Sequence, residues 1–316
     1  MREPMSVSVV ICAYTEDRWE LLTKAVESVQ KQNRRPLELV ICIDHNDALF
    51  SRARTFWSGD HDDPDLPITV VANKYGGHLG SARNTAAELA RGDILAFLDD
   101  DAAADDDWLE TLLPVYEDET VVAVGGAPHP VYATRRPRWF PFEFDWVFGC
   151  TYRGLPETLG PLAHLIGANM SVRRLALAEI GGFHSDDHDD MDMCHRLAHH
   201  RPNDQVLFEP NAIVRHVVPA GRVTWRYFWR RCFWVNRSKV GALQHMEGAA
   251  NLSAERAFVL RAISRGTSDG CRDALHGDPW GIARALAIII GVSLAAAGHV
   301  VGRVELLVRG SGAIGA

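Results

Sequence analysis

Cysteine is scarce in this 316-residue sequence. There are six, and no two are spaced as a C-x-x-C pair, which removes zinc-ribbon and dithiol redox chemistry. Cys12 and Cys42 sit inside apolar runs, so buried free thiols in a reducing, cytoplasmic compartment are expected. No G-x-x-x-x-G-K-S/T segment occurs, which argues against a P-loop nucleotidase, and no H-E-x-x-H, which argues against a zinc protease. Tandem repeats and low-complexity tracts are also missing. Positive charge is in deficit: Lys and Arg total 33 against 41 Asp and Glu, a net of −8. General nucleic-acid binding is therefore not expected, whereas a surplus of carboxylates suits an enzyme that holds a hard cation. Met1 to Ser6 is polar and the apolar run after it is only strand-length, so no secretory leader is expected.

What is present describes a globular chain, 47% hydrophobic and 23% charged, long enough for one large domain or two modest ones. Short β-branched runs recur at Val7–Cys12, Leu37–Ile43, Ile68–Val71, Ile94–Leu98 and Val121–Val124. Continuous apolar runs of this length suit strands covered on both faces. Helical patterns lie between several of them. One carries Trp19, Leu22, Val26 and Val29, one runs from Ser81 to Arg91, and one opens at Asp105 and runs through Leu113. This alternation predicts an α/β fold with a mostly parallel central sheet flanked by helices. From Ala127 to Pro161 six prolines break the rhythm, which predicts long loops or an insertion. Further helices are expected over Arg173–Ile180, Asp190–His200 and Thr224–Met246, with a strand over Ala212–His216.

The sharpest local feature is Asp99-Asp100-Asp101 at the end of an apolar strand. Ligands of open α/β sheets bind beyond the carboxyl ends of the strands, so three anions here suit a divalent cation. A solvated acidic loop before the Asp105 helix is the competing reading. Other motifs surround the triplet in order. They are Ala13-Tyr14-Thr15-Glu16 after the first strand, Ile43-Asp44-His45-Asn46-Asp47 after the second, and Asn73 to Asn84 with its glycines. Then come Gly167 to Arg174, Gly181-Gly182-Phe183 and Asp189-Asp190-Met191-Asp192. This ordered set resembles the inverting family-2 glycosyltransferases of the GT-A fold, over about residues 7 to 240.

The resemblance implies a nucleoside diphosphate sugar as donor, UDP-linked by preference, and an acceptor hydroxyl that receives a hexosyl or N-acetylhexosaminyl group. It implies Mn²⁺ or Mg²⁺ held by Asp101, Asp99 and His216. Ala13, Tyr14, Thr15, Glu16 and Asp44 would hold the nucleoside, with Lys74, Arg83, Asp99 and Asp100 at the donor diphosphate. Arg83 could equally be a structural tie, and Thr15 a helix cap. Asp190 is implied as the base that takes the acceptor proton, with Asp189 its runner-up. Asn169, Asp189 and Trp225 would face sugar or acceptor. At Asp44 the chain departs from the second Asp and Gly-Ser that many relatives carry, which leaves the base preference open.

These readings divide the chain into a catalytic domain at 1–220, with a nucleotide half to about 125 and an acceptor half beyond it, and a helical extension at 221–316. The extension contains Ala285–Gly302, which has no Lys, Arg, Asp or Glu. Two roles stand open for it: peripheral contact with the inner face of a membrane, or packing inside the protein or against a partner subunit, as in a homo-oligomer. The functional rivals are a nucleotidyltransferase and a non-catalytic sugar- or lipid-binding protein on the same scaffold.

Overall fold

The computed structural model describes residues 5–58, 65–184, 188–242, 259–260 and 262–312. The chain forms two compact units, one from residues up to His129 with Pro156–Val217, the other from Pro130–Leu155 with Val218 onward. The second therefore takes in part of the stretch read from the sequence as the acceptor half.

The first unit is built on strands β1 (Val7–Ala13), β2 (Glu38–Ile43), β3 (Ile68–Ala72), β4 (Ile94–Asp99), β5 (Ala102–Ala104), β6 (Val121–Tyr132), β7 (Gly160–Pro161), β8 (Asn169–Arg173) and β9 (Gln205–Val218). They form one sheet in the order β3-β2-β1-β4-β8-β6-β9-β5, with β7 also on β9. The parallel half is β3-β2-β1-β4, in which Val10 faces both Val40 and Phe97 across its neighbours. From β8 onward the pairings among the described residues, β4–β8, β8–β6, β9–β5 and β9–β7, are antiparallel, so the sheet is mixed. The parallel half is what the strand–helix alternation encodes, because a parallel pair needs a crossover helix.

Helices α1 (Trp19–Gln30), α2 (Asp47–Trp57), α3 (Leu79–Leu89), α4 (Trp108–Leu112), α5 (Arg174–Glu179) and α6 (Asp189–His200) flank it. Odd-numbered residues of β1, such as Val9 and Ile11, pack with Leu22 and Val26 of α1 and Leu49 of α2. Even-numbered Val10 joins Ala82 and Ala86 of α3 and Leu197 of α6 in a separate core. The two-residue period of a strand thus feeds two cores, which is why these strands read as unbroken apolar runs. Two expectations shift. β6 continues to Tyr132 through Pro128 and Pro130, because proline fits extended backbone and forfeits only a donor. β8 lies in a segment noted only for its motif.

The second unit holds a 3₁₀ helix at Phe142–Phe148 and the helices α7 (Trp225–Ala242), α8 (Thr267–Leu275) and α9 (Trp280–Gly312). The Thr224 hydroxyl accepts from the Tyr227 N–H and starts α7. The predicted continuation of α7 to Met246 lies outside the described residues. The proline-rich stretch is partly a packed aromatic core rather than loops. Trp139, Phe140, Phe144 and Phe148 bury against Phe228 and Cys232 of α7 and Ile288 of α9. All six cysteines are free; Cys271 is exposed, Cys12 half-buried and the others buried.

Candidate active site

The first unit gathers its chemistry at the carboxyl ends of β1 and β4. Cys12 of β1 stands beside Asp99 of β4, so the loop after β1 and the acidic triplet are neighbours. The chain turns at Asp100 and Asp101 and enters β5, whose Ala102 pairs with His216 of β9. That pairing brings a histidine more than a hundred positions away in sequence to the triplet: its Nε2 lies 3.1 Å from Asp101 Oδ1. One ligand atom each from Asp99, Asp101 and His216 all lie within 4.8 Å of one another. Two hard carboxylates and an imidazole suit Mn²⁺ or Mg²⁺ and leave coordination positions for other oxygens.

Asp100 faces another way. It is buried and accepts from Arg18 at 2.8 Å, while the same guanidinium stands 3.1 Å from Asp101. Its Oδ2 has no hydrogen-bond partner. Burial, against the pull of Arg18, pushes the Asp100 carboxyl up to about 7. Desolvation also raises Asp99, opposed by Arg83 and reinforced by the charge on Asp101. The triplet carries more negative charge than Arg18 and Arg83 neutralise, and a divalent cation would supply the difference.

Arg83 is the tie. Though on α3, it is almost wholly buried, and its guanidinium spans 2.7 Å to Asp189, 3.3 Å to Asp99 and 2.9 Å to the Gly167 carbonyl. The rings of Phe97 and Phe183 lie under the same cation. Of the two roles open for Arg83, these contacts are those of a structural tie. Arg83 also separates the acidic pair at the start of α6. Asp189 is buried and engaged by Arg83; desolvation raises its carboxyl while Arg83 holds it down. Asp190 is half-buried, and its oxygens accept from the backbone N–H groups of Gly167 at 2.9 Å and Met191 at 2.7 Å. Two backbone donors fix the orientation of that carboxylate and leave it further lone pairs.

The remaining predicted residues divide. Ala13 is buried at the end of β1 and Tyr14 beside it is 57% exposed, open to a planar ligand. Thr15 accepts from the Asp17 N–H, the capping role, and Glu16 reaches Arg52 at 3.8 Å. Asp44 accepts from Asn73 at 2.7 Å and pairs with His45 at 2.6 Å. Lys74 pairs instead with Glu88 of α3 on the surface, and no contact ties it to the triplet among the described residues. Asn169 needs a correction. It is fully buried, takes the Trp108 indole N–H at 2.9 Å and donates to the Ala212 carbonyl at 2.9 Å. Its amide is consumed by packing and cannot face a sugar. Trp225 belongs to the second unit, stacked on Trp139 at 3.7 Å. Asp186 and Asp187, which precede α6, lie outside the described residues.

Arg18 escaped the sequence reading. Its only signal was a cation five residues past the end of the first strand, a place where chain spacing says nothing of contact with the triplet.

A parallel β-α half-sheet joined to an antiparallel half, with a carboxylate and histidine cluster where the two meet, defines a GT-A type of glycosyltransferase. Residues 8–181 match the family model of glycosyl transferase family 2, and the chain belongs to that family. A glucosyl-dolichyl phosphate glucuronosyltransferase of Haloferax volcanii is 36% identical over 245 residues, covering 74% of this chain and 76% of that protein. Among solved structures, the mannosyltransferase PcManGT of Pyrobaculum calidifontis, in complex with GDP-Man and Mn²⁺, aligns with a TM-score of 0.59 at 20% identity, covering 93% and 88% of the two chains. TarS 1–349 of S. aureus, in complex with UDP-GlcNAc, aligns at 0.54 and 14% identity, covering 97% and 92%. These likenesses share the fold; the family membership makes this chain a glycosyltransferase.

Proposed function

We propose that the enzyme is an inverting transferase that moves a sugar from a nucleoside diphosphate, UDP by preference, to a hydroxyl of a lipid-linked acceptor, with Mn²⁺ or Mg²⁺, in the cytoplasm. One observation carries the reading. The cluster of Asp99, Asp101 and His216 is coupled through Arg83 to the Asp189-Asp190 pair, so a cation site and a base stand at two ends of one buried network.

Asp99, Asp101 and His216 would hold the cation, which when bound neutralises the departing diphosphate. Asp190 takes the proton of the acceptor hydroxyl. The freed oxygen attacks the anomeric carbon opposite the diphosphate, the carbon–oxygen bond to phosphate breaks, and the configuration inverts. Arg83 fixes Asp189, whose own oxygen receives the Asp190 N–H at 3.0 Å, and so holds the base in register. Asp44 and the exposed Tyr14 ring are the groups offered to the base and ribose. The lipid-linked acceptor is supported by the dolichyl phosphate in the name of the Haloferax volcanii relative, and the free thiols support the location.

Calorimetric titration with UDP, GDP and dTDP, with and without Mn²⁺, tests the donor and the metal together. UDP should bind about tenfold or more tightly with Mn²⁺ than without, and Asp101→Ala should remove that gain. Equal affinity with and without the ion would refute the metal role, and a preference for GDP would refute the base.

A further inference from the structure

We propose that the second unit docks on the surface of an anionic lipid bilayer, with α9 lying in the interfacial plane and its exposed face turned to the acyl chains. The inference stands on this unit alone and does not depend on the transfer reaction.

The face has two large apolar patches joined by a stretch in which Ser293, Ala296 and Ala297 are exposed. Ile282, Leu286, Ile289, Val300, Val304 and Leu307 follow helical spacing, and each is 47–72% exposed. From the first to the last the helix rises ~38 Å at about 1.5 Å per residue. No Lys, Arg, Asp or Glu interrupts Ala285–Gly302. The polar residue in the middle, Ser293, gives its hydroxyl to the Ile289 carbonyl of its own helix at 2.8 Å. A specific protein partner would meet hydrogen-bonding groups dispersed through the patch. From Ala285 to Gly302 the exposed stripe offers a partner no charged group, and Arg303 follows only at its far end, which is a surface that hydrocarbon accepts with its edge in the headgroups.

The neighbouring helix supplies the charge. α7 carries Arg226, Arg230, Arg231, Arg237 and Lys239 and no acidic residue, in a chain whose net charge is −8. Trp229 and Trp234 on the same helix are about half exposed. Indoles interleaved with arginines suit the headgroup layer of an anionic membrane.

The packing of α9 on α7 decides between lying on the bilayer and crossing it. A Cβ on Gly291 would come within 3.0 Å of Phe228, one on Gly298 within 2.2 Å of the Phe233 carbonyl, and one on Gly302 within 2.6 Å of the Arg237 carbonyl. Both numberings rise together, so the helices run parallel in backbone contact, and Glu305 closes the seam at 2.6 Å from Arg237. A spanning α9 would draw the five cations of α7 into hydrocarbon with it, at prohibitive desolvation cost. Only the interfacial arrangement keeps the α7 cations wet and the α9 stripe dry.

The test is flotation of the full chain with phosphatidylcholine vesicles and with the same vesicles containing phosphatidylglycerol, at low and high salt, followed by an alkaline carbonate wash. Binding should be about tenfold stronger to the anionic vesicles, weaken with salt, and be released by carbonate. The double variant Leu286→Glu and Ile289→Glu, at exposed positions, should lose about tenfold or more of that binding with an unchanged far-ultraviolet circular dichroism spectrum. Absence of wild-type binding, equal binding by the variant, or indifference to lipid charge would overturn the proposal. Resistance to carbonate would show a span instead. A wild-type dimer that the variant converts to monomer, with no vesicle binding by either, would assign the face to a second copy.

Discussion

Arg83 shows how much one buried cation can organise. It sits at 2% exposure among Phe97, Phe183 and two carboxylates that belong to different elements. Replacing it with methionine fills similar space but leaves the buried Asp99 and Asp189 carboxylates without their shared cation. Breaking one side of such a network costs roughly 3–5 kcal/mol. Arg83→Met should therefore lower the urea midpoint strongly at pH 7 and less at pH 5, where the stranded carboxyls are more readily protonated. An equal loss at both values would mean that charge is not what Arg83 contributes. The sequence reading placed Arg83, Asp99, Asp189 and Asp190 in one site, and the structure brings their side chains together; Asp99 ends a strand and the Asp189-Asp190 pair begins a helix. It could not assign Arg83 between ligand and tie, nor find Arg18, because those depend on how far a long side chain reaches in space. Asn169 was misread for the same reason: a motif asparagine two residues after a glycine looks like a ligand until the indole of Trp108 is found on its oxygen.

At the level of elements, legibility followed periodicity. β1, β2 and β4 and the helices α1 and α3 carry repeating apolar patterns, and the structure places them within a residue or two of expectation, whereas α2 (Asp47–Trp57) was not expected. β8 lacked a legible pattern, since it is five residues long and buries Asn169 and Ser171 on hydrogen bonds to other strands. The seam between α7 and α9 was equally opaque, because glycine in a helix looks like a weakness in sequence and like a close contact only in space. Its energetics give a prediction with a reversed sign. Alanine for glycine inside a helix ordinarily stabilises by up to ~1 kcal/mol. At Gly298 the added methyl meets the Phe233 carbonyl at 2.2 Å, so Gly298→Ala should destabilise by about 1–3 kcal/mol. At Gly241 of α7 a Cβ meets nothing within 4 Å among the described residues, so Gly241→Ala should be neutral or stabilising by a few tenths of a kcal/mol. Thermal melts of the two variants check this, and melting of both in the same direction would deny that α9 rests backbone to backbone on α7.

For the molecule as a whole, buried carboxylates set how stability varies with pH. Asp145 lies in the aromatic core of the second unit, with the Arg136 guanidinium at 2.9 Å. Burial outweighs Arg136 and pushes its carboxyl from 3.8 up to about 6. The folded chain then holds a proton that the unfolded chain releases between those values. The penalty is absent below about pH 4, grows as pH rises through 6, and is complete at pH 7, on the order of 2–3 kcal/mol. Asp145→Asn should raise the unfolding free energy at pH 7, leave it unchanged near pH 4, and flatten the curve between. A parallel pH dependence in wild type and variant would contradict this. The central claim, that Asp190 activates an acceptor hydroxyl beside a metal-held donor, is tested most directly by one paired measurement. UDP release from a UDP-sugar, in the presence of Mn²⁺ and a polyprenyl-phosphate-linked saccharide, is followed in wild type and Asp190→Asn, with UDP affinity measured on the same preparations. The asparagine keeps the shape and loses the basicity. Turnover should fall by roughly two to four orders of magnitude while affinity for UDP is unchanged. Near wild-type turnover by Asp190→Asn, with affinity intact, would contradict the account.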